Sequence, residues 1–251
     1  MDLELKDRRA LVTGGSRGIG KRIAWRLAKE GADVAITARG QEALEATAGE
    51  IAADTGRRIF SIKADMRDDS SVAAMTAEAA RVLGGLDILV NNAATPGGRK
   101  VAAIQDMDVA DLLEDIDVKV GGYLRAARCA APYMIKGGWG RIINIGGLAA
   151  RLTGNYNSGI RSAAISALTK NLADELGPKG IVAIAIHPGA MRKMGAPSEQ
   201  EAKSAAKTSN AALFESEVIA SLVAMLSSSH ALALNGETLS AGGGIRGIID
   251  Y

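Results

Sequence analysis

Ala10-Leu11-Val12-Thr13-Gly14-Gly15-Ser16-Arg17-Gly18-Ile19-Gly20 is the stretch on which the reading of this chain turns. An apolar run of strand length breaks into glycines. A helical stretch follows, with Ile19, Ile23 and Leu27 four apart, and Gly31 closes it. Glycines between a strand and a helix let the backbone turn tightly and approach a pyrophosphate, while the helix start offers free N–H groups and a partial positive charge. In this βα setting the cluster reads as a dinucleotide-phosphate turn rather than a plain tight loop. Gly14, Ser16, Arg17, Gly18, Ile19 and Gly20 are therefore candidate cofactor residues.

The same alternation continues outward. Residues 32–38 form a second apolar run, 41–53 a helix, 58–63 a strand, 70–83 a helix with Ser70 or Ser71 as its N-cap, and 86–90 a fourth strand. A long helix is expected over about 108–135, with Val109, Leu112, Leu113, Ile116 and Val120 on one face. Residues 141–145 read as a strand. A second long helix covers about 158–176, with Ala164, Leu168, Leu172 and Leu176 four apart, and Gly177-Pro178 ends it. The unbroken apolar run 181–186 suits a strand buried on both faces. A short helix at 216–226 and a strand at 237–240 complete the series. The rhythm predicts an α/β fold, a doubly wound parallel sheet with helices on both faces. No linker or repeat divides it, so residues 1–251 form one domain. The most loop-like stretch, about 188–212, reads as a loop or lid on the substrate side.

Composition narrows the function. Of 251 residues, 47% are hydrophobic and 23% charged, which suits a globular protein and excludes global disorder. One cysteine, Cys129, excludes a disulfide framework, and with only His187 and His230 beside it no metal centre is expected. A net charge of +2 and 3% aromatic residues give no footprint for nucleic acid. The N-terminal residues lack signal-peptide character, and no apolar run approaches the roughly 20 residues of a membrane helix. A cytoplasmic protein without membrane partners is the expectation.

The glycine spacing is T-G-x-x-x-G-x-G rather than G-x-G-x-x-G, and here the chain resembles the short-chain dehydrogenase/reductase family. Asp65, followed by Met66, resembles the family's adenine-contacting aspartate. Asn91-Asn92-Ala93-Ala94 resembles its N-N-A-G segment, Pro188-Gly189 its P-G turn, and Gly236-Glu237-Thr238 its C-terminal strand. The resemblance spans essentially the whole chain. It implies a Rossmann-type sheet of seven strands, usually in a dimer or tetramer packed through the two long helices. It also implies cofactor contacts at Asp65, Met66, Asn92, Ala93, Pro188, Gly189 and Lys193, the last standing where the family has a threonine. The second strand ends in Thr37-Ala38-Arg39, with no acid before Glu42 to accept from a ribose 2′-hydroxyl. Arg39 and Arg17 instead suit a 2′-phosphate, so NADP(H) is expected over NAD(H).

The catalytic residues depart from the family pattern. Aligned on the helix 163–170, the tyrosine position falls on Ser158 and the lysine position on Ser162. The serine position falls on Gly147, or on Gly146 if the register slips, and the asparagine position on Lys119. A serine hydroxyl is a far weaker acid than a phenol. Tyr156, Ser158, Arg161, Ser162 and Lys119 are the candidates for a rebuilt site, with Arg161 needing an unusual orientation to enter it. His187 reads as a capped strand-edge residue, Cys129 as core and 199–207 as a solvated helix. Three readings follow. The first is an NADP(H)-dependent oxidoreductase acting on a carbonyl, alcohol or enone small molecule, for which the cations of the pocket would also accept an anion. The second is a nucleotide-binding pseudoenzyme, a sensor or inactive oligomer partner. The third is a non-redox isomerase or lyase in the same pocket. The first is preferred.

Overall fold

The structure, a computed structural model, describes residues 2–95, 103–192 and 198–246. Its strands are β1 (Arg9–Thr13), β2 (Asp33–Ala38), β3 (Ile59–Lys63), β4 (Ile88–Asn91), β5 (Gly140–Ile145), β6 (Ile181–Pro188) and β7 (Thr238–Ala241). They form one parallel sheet in the order β3-β2-β1-β4-β5-β6-β7. Successive strand residues face opposite ways. Val12 thus joins a core with Ile23, Leu27, Ile219 and Val223 on one side. Leu11 joins a second core with Val72, Met75, Ala126 and Met134 on the other. Both faces are covered, so the strands are apolar at successive positions rather than at alternate ones.

The helices are α1 (Gly18–Lys29), α2 (Gln41–Thr55), α3 (Asp69–Leu83), α4 (Val109–Ile116), α5 (Gly122–Gly137), α6 (Tyr156–Leu176), α7 (Glu199–Ala206) and α8 (Ser216–Leu226). Strand order reverses between β1 and β4, and the crevice beyond the carboxyl ends of such strands is where ligands bind in this architecture.

Several boundaries differ from expectation. The helix expected over 108–135 is α4 and α5 joined by a π turn at Asp117–Gly121. The N-cap of α3 is Asp68, whose carboxylate accepts from the Ser70 and Ser71 N–H groups. An aspartate cap also adds a negative charge at the positive end of the helix. Helix α6 begins at Tyr156 because Asn155 caps it, and β7 is shifted one residue onward, to Thr238–Ala241. The expected lid contains α7, closed at its start by a Ser198–Glu201 capping box.

Candidate active site

The glycine turn is held from β4. Thr13 Oγ1 accepts from the backbone N–H of Asn92 and of Ala93, at 2.9 and 3.1 Å. Asn92 Nδ2 donates to the carbonyl oxygens of Thr13 and Gly14, at 3.0 and 3.1 Å. The Thr47 hydroxyl donates to Ser16 O from α2. Gly20 has no room for a side chain: a Cβ there would lie 2.2 Å from Gly14 O. Helix α1 has no side-chain cap and no acid in its first turn, whereas α3, α4, α6 and α7 are all capped by side chains. Its first N–H groups remain available to a phosphate. Gly14, Ser16, Arg17, Gly18, Ile19 and Gly20 thus come together in one turn, which fits a dinucleotide pyrophosphate.

Arg17 and Arg39 are both exposed at this end of the sheet. Asp65 is paired with Arg67 at 2.8 Å. That hydrogen bond, with help from Arg39, holds the Asp65 carboxyl below its usual range. Met66 is buried, and a Cβ on Gly122 would meet its Cβ at 2.9 Å, so it packs under α5. Pro188 ends β6, Gly189 follows it, and both line the pocket described next. Lys193 lies outside the described residues.

A cavity of about 400 Å³ opens at the carboxyl ends of β5 and β6. Lys119, Ser158, Arg161 and Ser162 line it together with Gly146 and Gly147. Four of the five candidate catalytic residues are therefore neighbours. The fifth, Tyr156, is 49% exposed at the start of α6 and is not among the lining residues.

Lys119 projects from the π turn and is only 6% exposed. A π turn carries one residue more than an α turn and recurs at functional sites. The Lys119 Nζ donates to Gly146 O at 2.7 Å. Burial first and the Arg161 charge second, opposed by Asp115, together lower its pKa from 10.5 to about 7. Arg161 enters the cavity without the unusual orientation expected from its helical position. It lies three residues after Ser158, so the two share a face of α6. Its Nη1 pairs with Asp115 Oδ2 at 3.2 Å, the side chains being 12% and 5% exposed.

His187 corrects a second expectation. It sits on β6, which is flanked by β5 and β7, and is fully buried rather than at an edge. Its Nδ1 accepts from the Gly147 N–H at 2.8 Å, so in the neutral ring Nε2 carries the proton and donates to Ser166 Oγ at 2.9 Å. Burial, then Lys119 and Arg151, lower its pKa from 6.5 to about 4. Gly146 is matched to this ring: a Cβ there would lie 2.2 Å from His187 Nδ1. The hydroxyl of Ser162 is 3.2 Å from where a Cβ on Gly147 would stand.

Sequence reasoning missed Asp115 and under-read His187. The available signal was a histidine directly before Pro188-Gly189; Asp115 offered none, since its partner Arg161 lies on another helix.

The chain matches the short chain dehydrogenase family over residues 8–204, and it belongs to that family. It is 33% identical to the 3-oxoacyl-[acyl-carrier-protein] reductase FabG of Aquifex aeolicus, over 98% of this chain and 100% of that one. A short-chain dehydrogenase from Burkholderia cenocepacia, solved in complex with NADP, superposes with a TM-score of 0.85 at 34% identity, covering 96% of this chain and 98% of that one. NAD+-bound xylitol dehydrogenase superposes with a TM-score of 0.88 at 25% identity, covering 96% and 100%. The relatives thus include proteins solved with each of the two nicotinamide dinucleotides.

Proposed function

We propose that the protein is an NADP(H)-dependent oxidoreductase for a small carbonyl, alcohol or enone compound, with Lys119, at the family's asparagine position, taking over the role of proton donor. The observation that carries this reading is the position of Lys119 in the cavity, buried and close to neutral pKa, beside Arg161. Gly14, Ser16, Arg17, Gly18, Ile19 and Gly20 hold the pyrophosphate. Arg17 and Arg39 meet the 2′-phosphate. Asp65, Met66, Asn92 and Ala93 face the adenosine half, and Pro188 and Gly189 the nicotinamide half. The nicotinamide, when bound, supplies or accepts the hydride.

The remaining work falls to the chain's own side chains. Lys119 delivers a proton from Nζ to the carbonyl oxygen, or removes it in the reverse direction. An acid that titrates near neutrality is well placed for both directions. Ser158 and Ser162 offer hydroxyls that orient the oxygen. Arg161 adds positive charge where the oxygen becomes negative, which is most effective away from water. Asp115 fixes the guanidinium, and His187 fixes the Gly146-Gly147 backbone through which Lys119 is anchored. Tyr156 is the alternative donor, available only if α6 moves at its start.

The test is NADPH oxidation, followed at 340 nm, across ketones, quinones and enones. Lys119→Met is expected to lose about 10²–10⁴-fold in kcat, the range for general acid–base assistance. Tyr156→Phe is expected to keep activity within about threefold, since losing a phenol that is not the donor forfeits none of that assistance. An unchanged signal over the whole panel with NADPH bound would favour the sensor reading. Product formation without net cofactor oxidation would favour the isomerase reading.

A further inference from the structure

The charges on the cavity floor do not balance. Arg161 from α6 and Lys119 from the π turn are two cations, and Asp115 from α4 is the carboxylate beside them. Asp115 lies within ion-pair distance of Arg161, whereas Lys119 donates to the Gly146 carbonyl, which carries no charge. The Arg161 guanidinium keeps hydrogen-bonding capacity that Asp115 does not use, since its Nε is buried without a partner.

Among the described residues, the other groups packed around Lys119 do not supply the missing negative charge. His187 on β6 is a neutral ring held between Gly147 and Ser166. The Tyr123 hydroxyl on α5 donates to Ile145 O, and burial pushes its pKa upward, so it stays neutral. Arg151, on the short turn Leu148–Arg151, adds positive field at His187. A buried charge without a counter-charge is costly, and the group sheds the charge instead. That is the condition of Lys119.

We propose that the cavity is a carboxylate site, in which a carbonyl compound bearing one carboxylate group binds beside Arg161 and Lys119 and draws a proton onto Lys119 as it enters. A single negative charge balances the set of two cations and Asp115, whereas a phosphate dianion would over-fill it. Arginine is suited to planar carboxylate recognition. The proposal rests on the reading of this cavity as the substrate pocket. It does not rest on hydride transfer.

The experiment is calorimetric titration of the full chain, without nucleotide, with 4-oxopentanoate and with its neutral methyl ester. Each titration is run in phosphate and in Tris, whose ionisation heats differ. The acid is expected to bind at least about tenfold more tightly than the ester, the ratio that one favourable charged contact provides. Its heat is expected to depend on the buffer, with proton uptake approaching one per site at pH 8 and shrinking toward zero at pH 6. Lys119→Met is expected to lose that uptake, with the glycine turn of the variant checked by NADPH binding. The wild-type comparison stands alone if the variant fails to fold.

Equal binding of acid and ester, no saturable binding of the acid, or a heat independent of buffer at pH 8 would each overturn the proposal. The two readings fail separately. A protein that binds the acid with proton uptake yet oxidises no NADPH keeps the carboxylate site and loses the oxidoreductase. A protein that reduces only neutral carbonyls keeps the oxidoreductase and loses the site.

Discussion

Lys119 places a strongly hydrated ammonium inside a protein core, and this has a consequence for stability as well as for chemistry. Its pKa falls from 10.5 to about 7 on folding, chiefly through burial. Between those values the unfolded chain binds more protons than the folded one, so this group makes stability rise with pH from about 7 to 10.5. Below pH 7 both states are protonated and the penalty is flat. Lys119→Met is therefore expected to be more stable than wild type at pH 7, by about 2 kcal/mol, and to lose most of that advantage at pH 10. Urea denaturation at the two pH values measures it. A variant less stable at pH 7 with an unchanged slope would mean that the ammonium is solvated. His187 acts on the acid side with the same sign. Its pKa drops from 6.5 to about 4, so the unfolded chain takes up the proton first and stability falls as pH falls through that window. His187→Gln, which keeps an acceptor for Gly147 and a donor for Ser166, is expected to flatten the wild-type decline between pH 6.5 and pH 4. An unchanged acid limb would show that the ring is not held neutral.

At the scale of elements, the π turn decides whether the cavity has a cation at all. In an uninterrupted α-helix each residue is turned about 100° from the last, so one extra residue re-aims everything on one side of it relative to the other. Deleting Val118 from Asp117–Gly121 is expected to give a helix that still packs on the second core but carries Asp115 and Lys119 out of register with Arg161. The expected result is cooperative unfolding close to wild type, with kcat/KM reduced at least about 100-fold. Retained activity would show that the turn is incidental. This element is also where the sequence was least legible. Val109, Leu112, Leu113, Ile116 and Val120 fit α spacing without a break, because the extra residue falls at the end of that stripe. The glycine turn was legible because no other residue pattern offers that backbone approach between a strand and a helix. The Lys119, Ser158 and Ser162 positions were readable by alignment. The Asp115–Arg161 pair was not, since it joins residues 46 apart across two helices that only the fold brings together. The Gly146–His187 match is hidden for the same reason, 41 residues apart, Gly146 just after β5 and His187 on β6.

Across the whole molecule, the parallel sheet puts two chemically different regions on one edge. Beyond β1 and β2 lie the uncapped start of α1 and the exposed Arg17 and Arg39. Beyond β5 and β6 lies the cavity with Lys119. A dinucleotide long enough to join them would have its phosphates at the first and its reactive ring at the second. The first region should then choose the cofactor independently of the second. No acid stands between Ala38 and Glu42 to accept from a 2′-hydroxyl, and Asp65 is already engaged by Arg67. The expected outcome of calorimetric titration is NADPH binding at least about tenfold more tightly than NADH, a difference of about 1.4 kcal/mol. Arg39→Asp should reverse the order by repelling the 2′-phosphate and accepting from the 2′-hydroxyl. Added salt should weaken NADPH more than NADH, because the arginines are exposed and screened. Gly20→Ala should abolish both, since its Cβ would press on Gly14 O. Equal affinities in wild type would assign Arg17 and Arg39 to the solvated surface. Binding that survives Gly20→Ala would place the phosphates somewhere other than the glycine turn, and the division of the sheet edge into a cofactor-choosing end and a reacting end would fall with it.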